Sequence, residues 1–497
     1  MRHPMHLRSL LLALTLLGAA ASARSAEAAP TGRAALREIF EELVETNTTL
    51  SAGSCTLAAE RMAARLRTAG LPERDIHIVT DPAHPKEGSL VARLEGSDAS
   101  LKPMLLLAHI DVVEAKREDW VRDPFTLIEE NGFFYARGVA DDKAMAAIWI
   151  DTLLRSLHGE LKPRRDIKLA LTCGEETTGA YNGVQHLLNE QRELIEAGFA
   201  LNEGASGKLD ENGKRVMLSV QAGEKASQNY RLEVTNRGGH SSRPVKDNAI
   251  YHLAAALGRV SALEFPVQLN DTTRLYFARM GEILGGTMGA AMKAFLANPT
   301  DTQALGTVIA DPANNAMLRT TCVATTLEGG HASNALPQRA RANVNCRIYP
   351  GSSIEDVRKI LEQTINDPQV QVSTLEIRGP LAVPPPLTPA IMGHIEAVTH
   401  TIYPGVPLVP VFQAGYTDGQ FLNGAGIPTY GISGIFGEHD GGGGARSGRA
   451  HPRALAPRRA GLPVRTGEAL GERAGSAALR SGALSLQECR SRARAWR

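Results

Sequence analysis

The sequence predicts an α/β fold on a mixed sheet, with a smaller α+β sandwich inserted into it. Three observations carry that expectation. Apolar, strand-like runs such as MLLLAHID and IKLALTCGEE alternate with helix-like runs through the first 218 residues, the order that produces a sheet covered by helices. After Val220 the pattern changes to QNYRLEVTNRGGHSSRP, a strand with a glycine-rich turn. The 497 residues also exceed what a single hydrophobic core serves.

The elements follow in order. Residues 1–28 read as a secretory signal peptide: Arg2, His3 and Arg8 precede LLLALTLLGAA, and the small residues of ASARSAEAA offer cleavage after Ala23 or Ala28. Residues 29–218 read as the first part of the larger α/β unit, the part the resemblance given below makes catalytic. The inserted α+β unit, a lid or dimerisation domain by that same resemblance, spans 219–380, with the helical run DNAIYHLAAALGRV, the strands LRTTCVATTLEG and ARANVNCRIYPG, the amphipathic helix SIEDVRKILEQTI and the strand QVQVSTLEI. Outside the cytoplasm Cys322 and Cys346, on neighbouring strands of this insertion, could pair, whereas Cys55 and Cys173 have no legible partners. Residues 381–444 return to the catalytic unit through PVFQAGYTDGQFLNGAGIPTYGISGIFG, read as a strand, a glycine-rich substrate loop with Thr417 and Asp418, a short helix and another strand.

Chemistry concentrates at the strand ends. His109 and Asp111 stand in LLLAHIDVV, Asp141 and Asp142 in RGVADDKA, Glu175 and Glu176 in TCGEETTG, and Glu203 in LNEGAS. Polar residues that close the strands of an open α/β sheet gather at one crevice. Imidazole nitrogen and carboxylate oxygen are zinc donors, and a carboxylate can bridge two metals roughly 3.5–4 Å apart, a role that fits Asp141. Asp111, two residues after His109 on the same strand face, can accept the second ring N–H. Adjacent Glu175 and Glu176 point different ways in an extended segment, so Glu176 is assigned to metal and Glu175 to proton transfer. The set predicts a two-metal hydrolytic centre.

The motifs HID, GVADDK, GEET and NEGA resemble those of the clan MH zinc hydrolases, which include carboxypeptidase G, succinyl-diaminopimelate desuccinylase, carnosine-type dipeptidases and aminoacylase. The resemblance runs from about Phe40 to Gly443. It implies a di-zinc exopeptidase-like catalytic domain with a lid, one zinc on His109, Asp141 and Glu203, and the other on Asp141, Glu176 and a histidine near the C-terminus. Glu175 would activate the bridging water. His240 in GGHSSRP would reach a catalytic cleft, often a partner subunit's, to stabilise the oxyanion, which implies a homodimer through the lid. Asn334 in HASNALP and Arg347 in NCRIYPG resemble the contacts to a substrate carboxylate, for which a guanidinium is suited. The expected substrate is a small peptide cleaved beside a free carboxylate; an N-acyl amino acid is the alternative. The place is expected to be extracellular or periplasmic.

Composition excludes other classes. A net charge of +1 without a basic, aromatic-laced patch gives no nucleic-acid interface, and no run of about twenty apolar residues suggests a membrane span. The tail is different in kind. From Ala445 to Arg497 the chain carries twelve Arg, three Glu and no Lys, without apolar periodicity, and is expected to be disordered. Codons permitted for Ala445 to Thr466, read from their second nucleotide, spell HGLDERIRVRSLLEGQDFLYEL. That peptide offers a histidine after glycines, a short extended run and an amphipathic helix, and resembles the family's missing ending. One extra guanine in the codons for Gly441 to Gly444 would explain the tail and leave the second zinc site incomplete. His439 and His451 are the nearby histidines, and neither is assigned as a ligand.

Overall fold

The computed structural model describes residues 32–130, 133–177, 181–377, 379–437 and 464–465. The signal peptide, His439, His451 and the segment from Gly441 onward, Val464 and Arg465 excepted, lie outside the described residues. The amino-terminal half supplies helices α1 (Arg33–Glu45) and α2 (Cys55–Thr68), strands β1 (Ile76–Asp81), β2 (His84–Leu94) and β3 (Met104–His109), and the short hairpin β4 (Ile128–Glu130) and β5 (Phe133–Tyr135). Helix α3 (Lys143–Leu157), strand β6 (Ile167–Thr172), helices α4 (Gly183–Glu190) and α5 (Arg192–Ile195), and strands β7 (Phe199–Asn202), β8 (Gly207–Leu209) and β9 (Arg215–Glu224) follow.

A ten-stranded sheet dominates. With β16 (Leu408–Gln413), β17 (Thr429–Gly431) and β18 (Phe436–Gly437), its order is β1-β2-β6-β3-β7-β17-β9-β8-β18, and β16 pairs with β9. The strands β6, β3, β7 and β17 run parallel, while β2 and β9 run against them. The sheet is therefore mixed. Side chains of β3 alternate between its two faces: Met104, Leu106 and Ala108 join the core under α1, α2, α3 and α12 (Pro389–Ile402), while Leu105 and Leu107 join the core under α4, α5 and α13 (Gly419–Gly424). Burial on both faces explains why MLLLAH and IKLALT are apolar but for Lys168 and the strand-ending His109 and Thr172.

The second sheet starts one residue after β9 ends. Strand β10 (Ala226–Thr235) pairs with β14 (Arg339–Ile348) and β15 (Val370–Ile377), and β12 (Thr321–Gly329) is the outer neighbour of β14. Helices α6 (Ala249–Ser261) and α11 (Ile354–Ile365) pack on it through Leu253, Ala256, Val357 and Leu361. Ser353 caps α11 by accepting the Asp356 N–H. A two-stranded ribbon joins β11 (Gly239–His240) to β13 (Ala335–Leu336).

The run 271–318 had no assigned elements in the sequence. It forms α7 (Asp271–Leu284), α8 (Gly286–Ala297), α9 (Thr302–Ile309) and α10 (Pro312–Leu318), packed around Phe277, Met292, Phe295 and Val308. That cluster includes Val409 of β16, so these helices cover the large sheet although they fall between two elements of the small one. Both disulfides are present. Cys322 pairs with Cys346 across β12 and β14. Cys55 and Cys173 pair with each other over a sequence separation of 118, a long-range pairing that spacing along the chain did not reveal.

Candidate active site

Three neighbouring parallel strands deliver the chemistry to one edge. His109 ends β3, Glu175 and Glu176 follow β6, and Glu203 follows β7. Asp141 and Asp142 precede α3, joined by a cis peptide bond. The turn after β6 requires Gly174, whose φ is +100° and where an added Cβ would lie 2.0 Å from the Tyr181 carbonyl oxygen.

His109, Asp141 and Glu203 each bring one donor atom within 4.8 Å of the others. His109 is buried; its Nε2 lies 3.0 Å from Asp141 Oδ1 and 3.7 Å from Glu203 Oε1. Its Nδ1 faces the Asp111 main-chain oxygen at 3.1 Å and the Asp111 carboxylate at 3.5 Å. The ring is thus held by the main chain of Asp111 more closely than by its carboxylate. That carboxylate instead accepts the N–H groups of Glu175 and Glu176, at 3.3 and 2.9 Å. Glu176 stands outside the three-residue cluster.

The donor set fits a divalent cation. In the neutral tautomer that donates Nδ1–H to the Asp111 carbonyl, Nε2 would present its lone pair to the same space as two carboxylates. Asp142 is buried with Oδ2 unpartnered, and burial pushes its carboxyl up. Burial also pushes Glu175 up to about 10, with Glu203, Asp418 and Glu176 adding to it. Glu176 rises to about 7 for the same cause, with Asp141 adding, while Arg137 pulls it back. For His109 burial works against protonation, yet Glu203, Asp111 and Asp141 raise it well above the ordinary imidazole value. So many converging acids call for positive charge.

The other site residues lie on the small sheet and its ribbon. His240 is exposed, pairs with Ala335 across the ribbon and has Nδ1 2.8 Å from Ser242 Oγ. Asn334 is its neighbour: its carbonyl accepts the Ser241 N–H at 3.0 Å. Arg347 lies on β14 opposite Ser227 of β10, at the root of the small sheet. The ribbon therefore brings His240 and Asn334 together.

Several supporting residues were not read from the sequence. Thr417 and Asp418, read as a substrate loop, are buried, with Asp418 close enough to raise Glu175 and Glu203. Asp418 accepts from Asn182 at 2.6 Å and Thr172 at 3.2 Å, and Thr417 Oγ1 donates to Glu224 at 3.2 Å. Lys143 is fully buried, donates to the Thr46 carbonyl at 2.8 Å, and is pushed down to about 7 by burial. Glu224 ends an apolar strand just as His109 does, a signal that could have found it.

Comparison with known proteins bears on this geometry. Residues 105–454 match the model of Peptidase family M20/M25/M40. The chain is 32% identical to human N-fatty-acyl-amino acid synthase/hydrolase PM20D1, over 68% of each chain. It is 25% identical to mouse aminoacylase-1, over 68% of this chain and 73% of that one. Among solved structures it is similar to an M20 family metallo-carboxypeptidase from Sulfolobus solfataricus, with TM-score 0.65 and 16% identity over 90% of this chain and 99% of that one. It is also similar to human carnosine dipeptidase 1, with TM-score 0.59 and 16% identity over 91% and 96%. The chain belongs to peptidase family M20/M25/M40 and is a metallohydrolase.

Proposed function

We propose that this protein is a zinc-dependent amide hydrolase that cleaves an N-acyl amino acid or a small peptide beside a free carboxylate. The convergence of His109, Asp141 and Glu203 at one strand edge carries the reading. In it these three hold one ion; Asp141, Glu176 and a further histidine hold the second. Bound zinc ions would polarise the scissile carbonyl and acidify water. Glu175 takes the proton of the attacking water and passes it to the leaving amine. His240 donates to the oxyanion, and Asn334 and Arg347 hold the substrate carboxylate. The names of the relatives favour N-acyl amino acids; peptides, the first expectation from sequence, are the second reading, supported by fold likeness.

The reading includes a homodimer through the lid. Val323 and Leu327 on the outer strand β12, and Tyr251 at the start of α6, are 59%, 66% and 63% exposed, and an open strand edge with apolar side chains invites a second copy. It also includes export by the amino-terminal signal, which the two disulfides suit. No helix among the described residues is long and apolar enough to cross a membrane. The test is a panel of N-acyl amino acids and dipeptides, offered to the zinc-loaded chain and to the chain made from a gene lacking one guanine at Gly441–Gly444. Zinc-dependent release of free amino acid, faster from the N-acyl compounds, is expected. No cleavage of either class by either chain would refute the reading.

A further inference from the structure

The turn that carries Glu175 and Glu176 is held at few points. Strand β6 ends at Thr172, and Glu175, Glu176 and Thr177 lie outside any helix or strand. The main-chain N–H groups of both glutamates rest on one side chain, the Asp111 carboxylate, and the Gly183 N–H donates to the Cys173 carbonyl at 2.7 Å. Crowding works against this arrangement, because Glu175 stands among Glu203, Asp418 and Glu176, each of which opposes its ionisation. One covalent bond reaches the turn. Cys173, two residues before Glu175, is joined to Cys55, the first residue of α2, a helix fixed in the core by Ala58, Ala59, Met62 and Leu66. Thr56 secures the same helix end to β2, donating to the Pro85 carbonyl at 2.7 Å and accepting the Gly88 N–H at 2.9 Å. Both cysteines are buried, yet they line a cavity of about 210 Å³ together with Thr48, Ser54, His84 and Thr177. That cavity gives a small thiol a path to the sulfurs and gives the turn room to move.

We propose that Cys55 and Cys173 are a positioning pair for Glu175, and that hydrolysis is therefore redox-gated: the closed disulfide holds the turn in its working place, and the opened one lets it go slack. The proposal rests on the role of Glu175 as general base in the proposed reaction. Opening is thiol exchange. A thiolate attacks one sulfur, the S–S bond breaks, and a second thiol releases the mixed disulfide, so the chain gains two S–H groups and the reductant leaves as its own disulfide. Misplacing a reacting group by about 1 Å costs on the order of 10²-fold in rate, so a slack turn suffices to idle the site. Reducing compartments keep such bonds open and oxidising ones let them persist; the chain would stay idle until it reached an oxidising place. The pair Cys322 and Cys346 does not serve this way, since it joins residues that β12 and β14 already hold in register on the other sheet.

The test uses the zinc-loaded full chain carrying Cys322→Ala, Cys346→Ala and Cys489→Ala, so that one disulfide remains. It is opened with a phosphine, which takes oxygen from water to become its oxide as the two thiols form, and is closed again with oxidised glutathione. Opening should speed hydrogen exchange of the Glu175 and Glu176 N–H groups by about tenfold or more while β3 and β6 keep their protection. It should lower kcat by about 10²-fold with KM little changed, and closing should restore both. Adding Cys55→Ser, which prevents closure, should give the behaviour of the opened chain in either redox state. Unchanged exchange at the two glutamates would overturn the proposal, as would an equal loss of protection along β3 and β6, which would make the bond a general staple. So would a kcat indifferent to opening. Exchange is read without any substrate: a turn loosened by opening in a chain that cleaves neither substrate class would condemn the proposed reaction and keep the brace, whereas undiminished turnover with the bond open would condemn the brace and keep the reaction.

Discussion

The Asp111 carboxylate accepts the main-chain N–H of Glu176 at 2.9 Å, although it lies two residues from the imidazole it was expected to hold. Its own carbonyl takes the His109 Nδ1 at 3.1 Å. One residue therefore orients both the His109 ring and the turn that carries Glu175 and Glu176.

Replacing Asp111 should consequently damage more than one ring bond. Asp111→Ala leaves two turn N–H groups without their acceptor, and loss of such a supporting partner costs about 10–100-fold in metal affinity or activity. Asp111→Asn retains one accepting oxygen and should lose less. Steady-state kinetics with metal titration check this, and an Asp111→Ala enzyme with unchanged kcat and zinc affinity would sink it.

Glu175→Gln should retain zinc while losing turnover by about 10²–10⁴-fold, because the amide cannot accept the water proton. In the frame-restored chain, expected to hold two ions, metal analysis separates the two glutamates: one zinc lost from Glu175→Gln but both kept by Glu176→Gln would exchange their roles.

If His240 donates to the oxyanion as proposed, His240→Ala should lower kcat far more than it raises KM, since such a group acts on charge that develops in the transition state. An unchanged kcat would leave it a turn residue.

Much of this was legible because strand ends are legible. MLLLAHID and IKLALTCGEE announce buried strands whose polar termini must face outward, and the structure sets His109 and the Glu175 turn at adjacent strand ends. Among the helices over 271–318, α8 was not legible because its sequence GTMGAAMKAFLA is apolar nearly all round and shows little periodicity. Nor were the bonds of Glu224 and Asp418, whose partners Thr417, Asn182 and Thr172 come from distant segments. The Cys55–Cys173 pairing failed for the same reason.

That disulfide predicts an order of stability. In the chain-entropy model a loop of about 100 residues gains roughly 4.7 kcal/mol, and one of about 15 residues roughly 3 kcal/mol. Replacing both Cys55 and Cys173 by Ala should thus lower Tm more than replacing Cys322 and Cys346, whose separation is 24. Thermal unfolding of the two double variants under oxidising conditions decides it; the reverse order would show that the pairing across β12 and β14 dominates.

Chelation should abolish activity, and added zinc should restore it. The chain as it stands should hold one zinc firmly and the second weakly, because carboxylates alone remain for the second ion; the frame-restored chain should hold two. A chelator-treated enzyme at full activity would contradict a metal role altogether.

The most direct measurement is the zinc retained per chain after exhaustive dialysis, for the wild-type chain, His109→Ala, Glu203→Ala and Glu176→Gln. The account predicts one retained ion in the wild type and in Glu176→Gln, and none in His109→Ala or Glu203→Ala, since the cluster of His109, Asp141 and Glu203 lies within 4.8 Å and excludes Glu176. A wild-type chain without zinc, or a His109→Ala chain with its zinc undiminished, would contradict it.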